Sequence, residues 1–319
     1  MEYIANSRKP IGMIIPYFGE KPAWFDFFLL SCSKNQSFDW LFFTDCLTTK
    51  RLFGNIHFIK MTLNEFSKLA SKNLNINVDI KFPYKLCDFK PAYGLIFSDY
   101  ILGYKYWGYC DIDIIYGDIN SFIPADFYET YDIFSPNIEF LPGHFCILKN
   151  TIEITNLFSS ALKFKKVLVS ERYHYFDEFY FKKGAVLSAD AYKKHLRKRI
   201  NKHIIFRVIK YNTIFSFCKR IYKSLSKNSK ITLSPVLNDF NQIVKYYSSN
   251  NMLKILKKNV YRDDIMKLSV RKKRWIIKWE NGKLFLNGQE IMYYHFQLLK
   301  YMHKFEITKT SEYSFRITI

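Results

Sequence analysis

The sequence predicts an α/β protein built on a mostly parallel central sheet with flanking helices, a basic helical insertion and a C-terminal β-hairpin. Three observations carry that prediction. Short, continuously apolar runs alternate with helical patterns, as buried parallel strands and their connecting helices do. Thirteen Lys or Arg residues stand between Lys193 and Lys230, and no acidic residue falls between Asp190 and Asp239. Asn281-Gly282 separates two strand-like runs, Arg274 to Glu280 and Lys283 to Gly288, the strongest short signal for a hairpin with a type I′ turn.

In chain order, Ile11 to Tyr17 is the first buried strand, closed by Pro16, and Pro22 to Asn35 carries apolar residues at helical spacing. Asp39 to Asp45 is a second strand ending in a hydroxyl and a carboxylate, and Asn55 to Lys60 is a third. Thr62 and Glu65 stand in capping-box spacing, so a helix is expected from Thr62 to Leu74. Pro83 to Gly94 crowds Lys85, Asp88 and Lys90 together ahead of an apolar stretch. Those lysines could hold an anion or simply line a solvated loop. Tyr131 to Ser135 and Leu141 to Asn150 supply further strands, and Thr151 to Phe164 is expected to form one helix.

The spacing divides the 319 residues into a core over 1–190, the basic segment over 191–235 and a part over 236–319 that completes the site. A net charge of +21 favours anionic partners. Six widely spaced cysteines with no C-x-x-C pair argue against a disulfide framework or a structural zinc and for reduced thiols in the cytoplasm. No signal-peptide core follows Met1 to Pro10, and no apolar run reaches the roughly 20 residues needed to cross a bilayer. Any membrane contact is expected to be peripheral. Between Lys193 and Lys230, apolar residues interleave with the basic ones at helical intervals. This suits an amphipathic helix on an anionic membrane surface, nucleic-acid phosphates, or a solvated helical excursion.

The chemistry centres on Asp111-Ile112-Asp113, at the end of the apolar run Tyr106 to Cys110. On a strand, residues i and i+2 share a face, and two carboxylates at a carboxyl edge can hold a divalent cation that carries phosphates. Ligands of parallel sheets bind beyond the carboxyl ends of the strands, which gathers Tyr17, Asp45 and Asp111 on one edge. His144 is open between a structural histidine and a base. Asp177 and Glu178 lie among aromatics, where a buried carboxylate gains basicity and aromatic faces can stack on sugar rings. Adjacent helical residues do not share a face, so only one of the two is expected to point into the site.

The segments Ile14 to Gly19, Phe42 to Asp45, Lys85 to Gly94 and Trp107 to Asp113 together resemble bacterial sugar transferases of the GT-A fold, a Rossmann-like architecture found in capsule and lipopolysaccharide clusters. The resemblance covers roughly residues 11–180, with a weaker match near Tyr293 to Lys300. It implies a nucleotide-sugar donor, UDP-linked, whose diphosphate sits on Mn²⁺ or Mg²⁺ held by Asp111 and Asp113. It further implies Tyr17 and Asp45 at the nucleoside, Asp88 and Lys90 at the donor sugar or ribose, an acid near Asp177 and Glu178, and His295 as the late histidine of the metal shell. Lys300 would meet the diphosphate. The implied activity is glycosyl transfer to a glycan or lipid-linked acceptor, on the inner face of the membrane. A basic nucleic-acid-binding protein and a non-catalytic scaffold of a polysaccharide assembly complex are the competing readings.

Overall fold

A computed structural model describes residues 9–46, 53–177, 239–263, 276–296, 306–311 and 314–318. Glu178, Lys300 and the basic stretch from Lys193 to Lys230 lie outside the described residues.

Fifteen described strands, β1 to β15 in chain order, carry the architecture: β1 (Ile11–Pro16), β2 (Phe38–Thr44), β3 (Ile56–Lys60), β4 (Tyr106–Cys110), β5 (Ile114–Tyr116), β6 (Ile133–Ser135), β7 (Phe145–Lys149), β8 (Ile255–Lys257), β9 (Tyr261–Asp263), β10 (Ile276–Glu280), β11 (Lys283–Leu286), β12 (Gln289–Ile291), β13 (Tyr293–His295), β14 (Glu306–Ser311) and β15 (Ser314–Thr318). Seven of them form the central sheet, in the order β3-β2-β1-β4-β7-β6-β8. Only β7 runs against the others, pairing antiparallel with β4 and with β6. The remaining neighbours are parallel.

The chain builds outward from β1 through β2 to β3, then returns to the other side of β1 as β4. The boundary between β1 and β4 is therefore a topological switch point, the place where sheets of this type bind ligands. Strands β1, β2 and β4 are buried almost throughout, Asp39 and Thr44 of β2 included, which explains their largely apolar sequence. Close packing fixes Gly108 in β4: a Cβ there would come within 2.5 Å of the Cys146 carbonyl oxygen.

Helix α1 (Phe25–Ser33) packs one side of the sheet, and helix α2 (Leu63–Leu74) the other. The expected capping box at α2 is present. The Thr62 hydroxyl accepts from the Glu65 N–H, and Glu65 Oε2 accepts from the Thr62 N–H at 2.7 Å. The single helix expected over Thr151 to Phe164 is instead a short helix over Ile152–Thr155, a tighter turn over Leu157–Ser160 and a new helix over Phe164–Val169. β-Branched residues lower the propensity of the first piece. Asn156 Nδ2 donates to the Ile152 carbonyl and Ser159 Oγ to the Asn156 carbonyl, and both bonds compete with the helical pattern.

The expected hairpin is β10–β11, with Asn281 and Gly282 both at positive φ as a type I′ turn requires. It forms part of a five-stranded antiparallel sheet, β12-β11-β10-β15-β14. A third, three-stranded sheet, β5-β13-β9, joins Tyr293–His295 and Tyr261–Asp263 to the segment following β4. Strand β8 adds to the central sheet beside β6.

Candidate active site

The tripeptide Asp111-Ile112-Asp113 follows β4 at the switch point. It is not part of a strand: it forms the bend between β4 and β5, so the pleat is not what brings the two acids together. Backbone bonds fix the bend instead. The Asp111 N–H donates to the His144 carbonyl at 3.1 Å, Trp24 Nε1 donates to the Ile112 carbonyl at 2.9 Å, and the Phe296 N–H donates to the Asp113 carbonyl at 2.8 Å. Trp24 thereby ties the loop before α1 to the centre of the motif.

His295 arrives from far along the chain because β13 pairs antiparallel with β5, placing His295 opposite Ile114, the residue after Asp113. His295 Nε2 lies 3.4 Å from Asp113 Oδ1. One ligand atom each from Asp111, Asp113 and His295 lie within 4.8 Å of one another. Asp113 and His295 are buried, whereas the Asp111 side chain is 33% exposed. The grouping thus has a dry floor and an open rim.

His144 lies tilted against His295 with ring centroids 4.2 Å apart, and its Nε2 meets the Tyr293 hydroxyl at 2.9 Å. Burial pushes His144 well below its ordinary pKa, and the neighbouring His295 adds to the effect. The side chain is therefore neutral and hydrogen-bonded, packed behind His295.

Lys90 lies on the other side of Asp111. Its ammonium donates to Asp111 Oδ1 at 2.6 Å and to the Gly143 carbonyl at 2.7 Å, and stands 3.6 Å from Asp177 Oδ2. Burial alone would lower its pKa, but Asp111, Cys87 and Asp177 outweigh burial and hold Lys90 well above the ordinary lysine value. Asp177 is itself buried and accepts from the Tyr173 hydroxyl at 3.2 Å. Lys90 thus links two acids that the sequence placed in separate roles.

Lys85 and Asp88 neither line a solvated loop nor face outward. Both are buried at 1% and 0% exposure, 2.7 Å apart. Lys85 also donates to the Val167 and Arg172 carbonyls, while Asp88 accepts from the His174 and Phe176 N–H groups. Burial raises the Asp88 carboxyl against the pull of Lys85, and burial lowers Lys85 against the pull of Asp88. Asp88 lies behind the site, fastening the segment that ends in Asp177.

Tyr17 and Asp45 follow β1 and β2 on the expected edge. The Tyr17 N–H donates to the Phe43 carbonyl at 3.0 Å, and its hydroxyl donates to the Glu20 carbonyl at 2.8 Å. Asp45 is exposed. Sequence reasoning missed Trp24, the partners of Lys90 and the His144–His295 contact. All three are long-range contacts with no local signature; Asn55 and Asn35 are comparable buried tethers.

A family model described as "Family of unknown function (DUF6625)" matches residues 13–319, and the chain belongs to that family. No curated protein matches it. Among solved structures, the galactosyltransferase LgtC with donor and acceptor sugar analogues is similar at 9% identity and a TM-score of 0.29, covering 50% of this chain and 66% of that chain. An apo-form glycosyltransferase, GlyE of Streptococcus pneumoniae TIGR4, is similar at 12% identity and a TM-score of 0.31, covering 81% of this chain and 68% of that chain. The chain thus spans just under two thirds of the LgtC chain. At these identities and scores the likeness bears on neither substrate nor reaction. Among the described residues, no helix is long and apolar enough to cross a membrane.

Proposed function

We propose that this member of a family of unknown function is a metal-dependent glycosyltransferase. It would move a sugar from a nucleotide-sugar donor, UDP-linked, to a glycan or lipid-linked acceptor in surface-polysaccharide synthesis. The observation that supports the reading is the meeting of Asp111, Asp113 and His295 within 4.8 Å at the switch point of a mostly parallel sheet.

The donor set fits a divalent cation. Two carboxylates and a neutral imidazole suit Mn²⁺, and the carboxylates suit Mg²⁺. Asp111, Asp113 and His295, with ligand atoms within 4.8 Å of one another, are the residues that would hold the cation. Lys90 donates to Asp111 Oδ1 and so holds that carboxylate in place. Such an ion, when bound, supplies Lewis-acid stabilisation of a departing nucleoside diphosphate.

The chain's own side chains do the rest. The β5–β13 pairing keeps His295 beside Asp113. Lys90 balances the charge of Asp111 and Asp177. We assign Tyr17 and Asp45 to the nucleoside and Lys300 to the diphosphate. Asp177 is assigned to the acceptor hydroxyl, with Glu178 as the alternative base. The basic stretch 193–230 would bring the protein from the cytoplasm to the anionic inner face of the membrane.

Thermal unfolding with UDP and Mn²⁺ is the test. Together they raise the melting temperature of the wild type and leave Asp113→Ala unmoved. Equal shifts in the two proteins contradict the reading.

A further inference from the structure

The segment leading to Asp177 holds a backbone conformation that its residue type resists. Tyr175 has φ 59°, in the left-handed region, where a bulky side chain is an outlier. The other non-glycine residues with positive φ among the described residues are Asn75, Asn251, Asn281 and Asn287. Asparagine tolerates that region and tyrosine does not, so Tyr175 alone stands there against its preference.

Strain of this kind persists where the surroundings over-determine the backbone, and it gathers at ligand sites. The surroundings here are explicit. Asp88 Oδ2 accepts from the His174 N–H at 2.8 Å and Asp88 Oδ1 from the Phe176 N–H at 2.9 Å, gripping the chain on both sides of Tyr175. Lys85, paired with Asp88, anchors the Arg172 carbonyl at 2.8 Å. The His174 ring meets Ser170 Oγ at 2.9 Å. One buried ion pair thus forces one tyrosine into a disfavoured conformation.

The forced turn assembles an aromatic cluster. The Tyr175 ring lies 4.2 Å from that of Tyr173, and Tyr84 meets Tyr173 edge-on at 4.9 Å. Tyr173 is buried and its hydroxyl is on Asp177, whereas Tyr84 and Tyr175 are half-buried. Two partly exposed aromatic rings therefore flank a buried one that touches the acid assigned to the acceptor. From Asp177, Lys90 continues the line to Asp111.

We propose that Tyr84 and Tyr175 form an acceptor subsite, an aromatic platform that takes the apolar face of a pyranose ring of a glycan and leaves its hydroxyls towards Asp177. A tyrosine offers a flat apolar body with a polar tip, and a pyranose offers an apolar C–H face with polar edges, so the two match. Calling this ring the acceptor rests on the sugar-transfer reading above; binding of a sugar at the platform can be measured without any transfer.

Saturation-transfer NMR with a panel of methyl glycosides (glucoside, galactoside and N-acetylglucosaminide, both anomers) tests it on wild type, Tyr84→Ala and Tyr175→Gly. The wild type binds at least one glycoside through one ring face. Each substitution weakens that binding by about tenfold or more, as loss of a stacking partner worth about 1.4 kcal/mol requires. Glycine adopts φ 59° without steric strain, which offsets the entropy it adds to the unfolded chain, so Tyr175→Gly melts close to the wild type, and the UDP–Mn²⁺ shift is kept in both variants.

The subsite is overturned if the wild type binds no glycoside of the panel, if binding survives both substitutions, or if Tyr175→Gly melts clearly lower, which makes the ring a structural support. It is also overturned if the UDP–Mn²⁺ shift is lost together with glycoside binding, since the platform would then serve the nucleotide. Tyrosine-dependent glycoside binding with no UDP–Mn²⁺ shift in the wild type upholds the subsite and rejects the transfer reading.

Discussion

Two lysine–aspartate pairs whose lysines stand five residues apart behave as opposites. Lys85–Asp88 and Lys90–Asp111 have nearly the same contact distance, 2.7 and 2.6 Å. The first pair is sealed, at 1% and 0% side-chain exposure, and its atoms are bonded to the backbone of residues 167–176. The second stands at the rim, with Asp111 33% exposed beside Asp113 and His295. The same chemistry at different depth gives a buried fastener in one case and, in the other, a partly exposed acid that the proposed function assigns to a metal. Depth and backbone partners separate the two roles; residue type does not.

The sharpest way to break that comparison is to remove each acid. Asp88→Ala strands the Lys85 ammonium in the interior, and breaking one side of a buried pair costs about 3–5 kcal/mol. Asp111→Asn leaves Lys90 near Asp177 and on the Gly143 carbonyl, so the loss is about 1–3 kcal/mol, that of a hydrogen bond to a charged group. Denaturant unfolding of the two variants measures both. Equal costs would erase the distinction between fastener and ligand.

An exposed pair marks the bottom of the scale. Thr62→Ala removes the cap of α2 and costs about 1 kcal/mol in the same assay. The Thr62 N–H and hydroxyl lower Glu65 from its ordinary 4.5. A carboxyl depressed in the folded state contributes stability above its unfolded pKa and loses it as pH falls through the folded value. The difference between wild type and Glu65→Gln therefore shrinks as pH drops below about 4.5. A difference that stays constant from pH 7 to pH 3 rules the cap out as its source.

Local chemistry was legible in the sequence. Largely apolar runs became the buried strands β1, β2 and β4, Thr62–Glu65 became a capping box, and Asn281-Gly282 became the hairpin turn. The meeting of Asp111 and Asp113 with His295 was legible through motif resemblance, although the bend that brings the acids together was not. Contacts decided by tertiary packing stayed hidden. Nothing local tells Asp88, clamped on His174 and Phe176, from Asp111, twenty-three residues further on in the motif, and nothing local pairs Lys90 with Asp177. The five-stranded sheet was read as one hairpin because β15 joins β10 only by long-range pairing and brings its neighbour β14 with it. The helix expected over Thr151 to Phe164 broke where Asn156 and Ser159 turned to the backbone.

In the proposed function, Asp111, Asp113 and His295 hold one divalent cation together. Mn²⁺ titration followed by electron paramagnetic resonance tests it without donor or acceptor. The wild type should bind a single Mn²⁺, Asp113→Ala should lose that site, and His295→Ala should weaken it by about 10–100-fold, on the scale by which altered metal shells lose affinity. Identical titration curves for the three proteins would contradict the account.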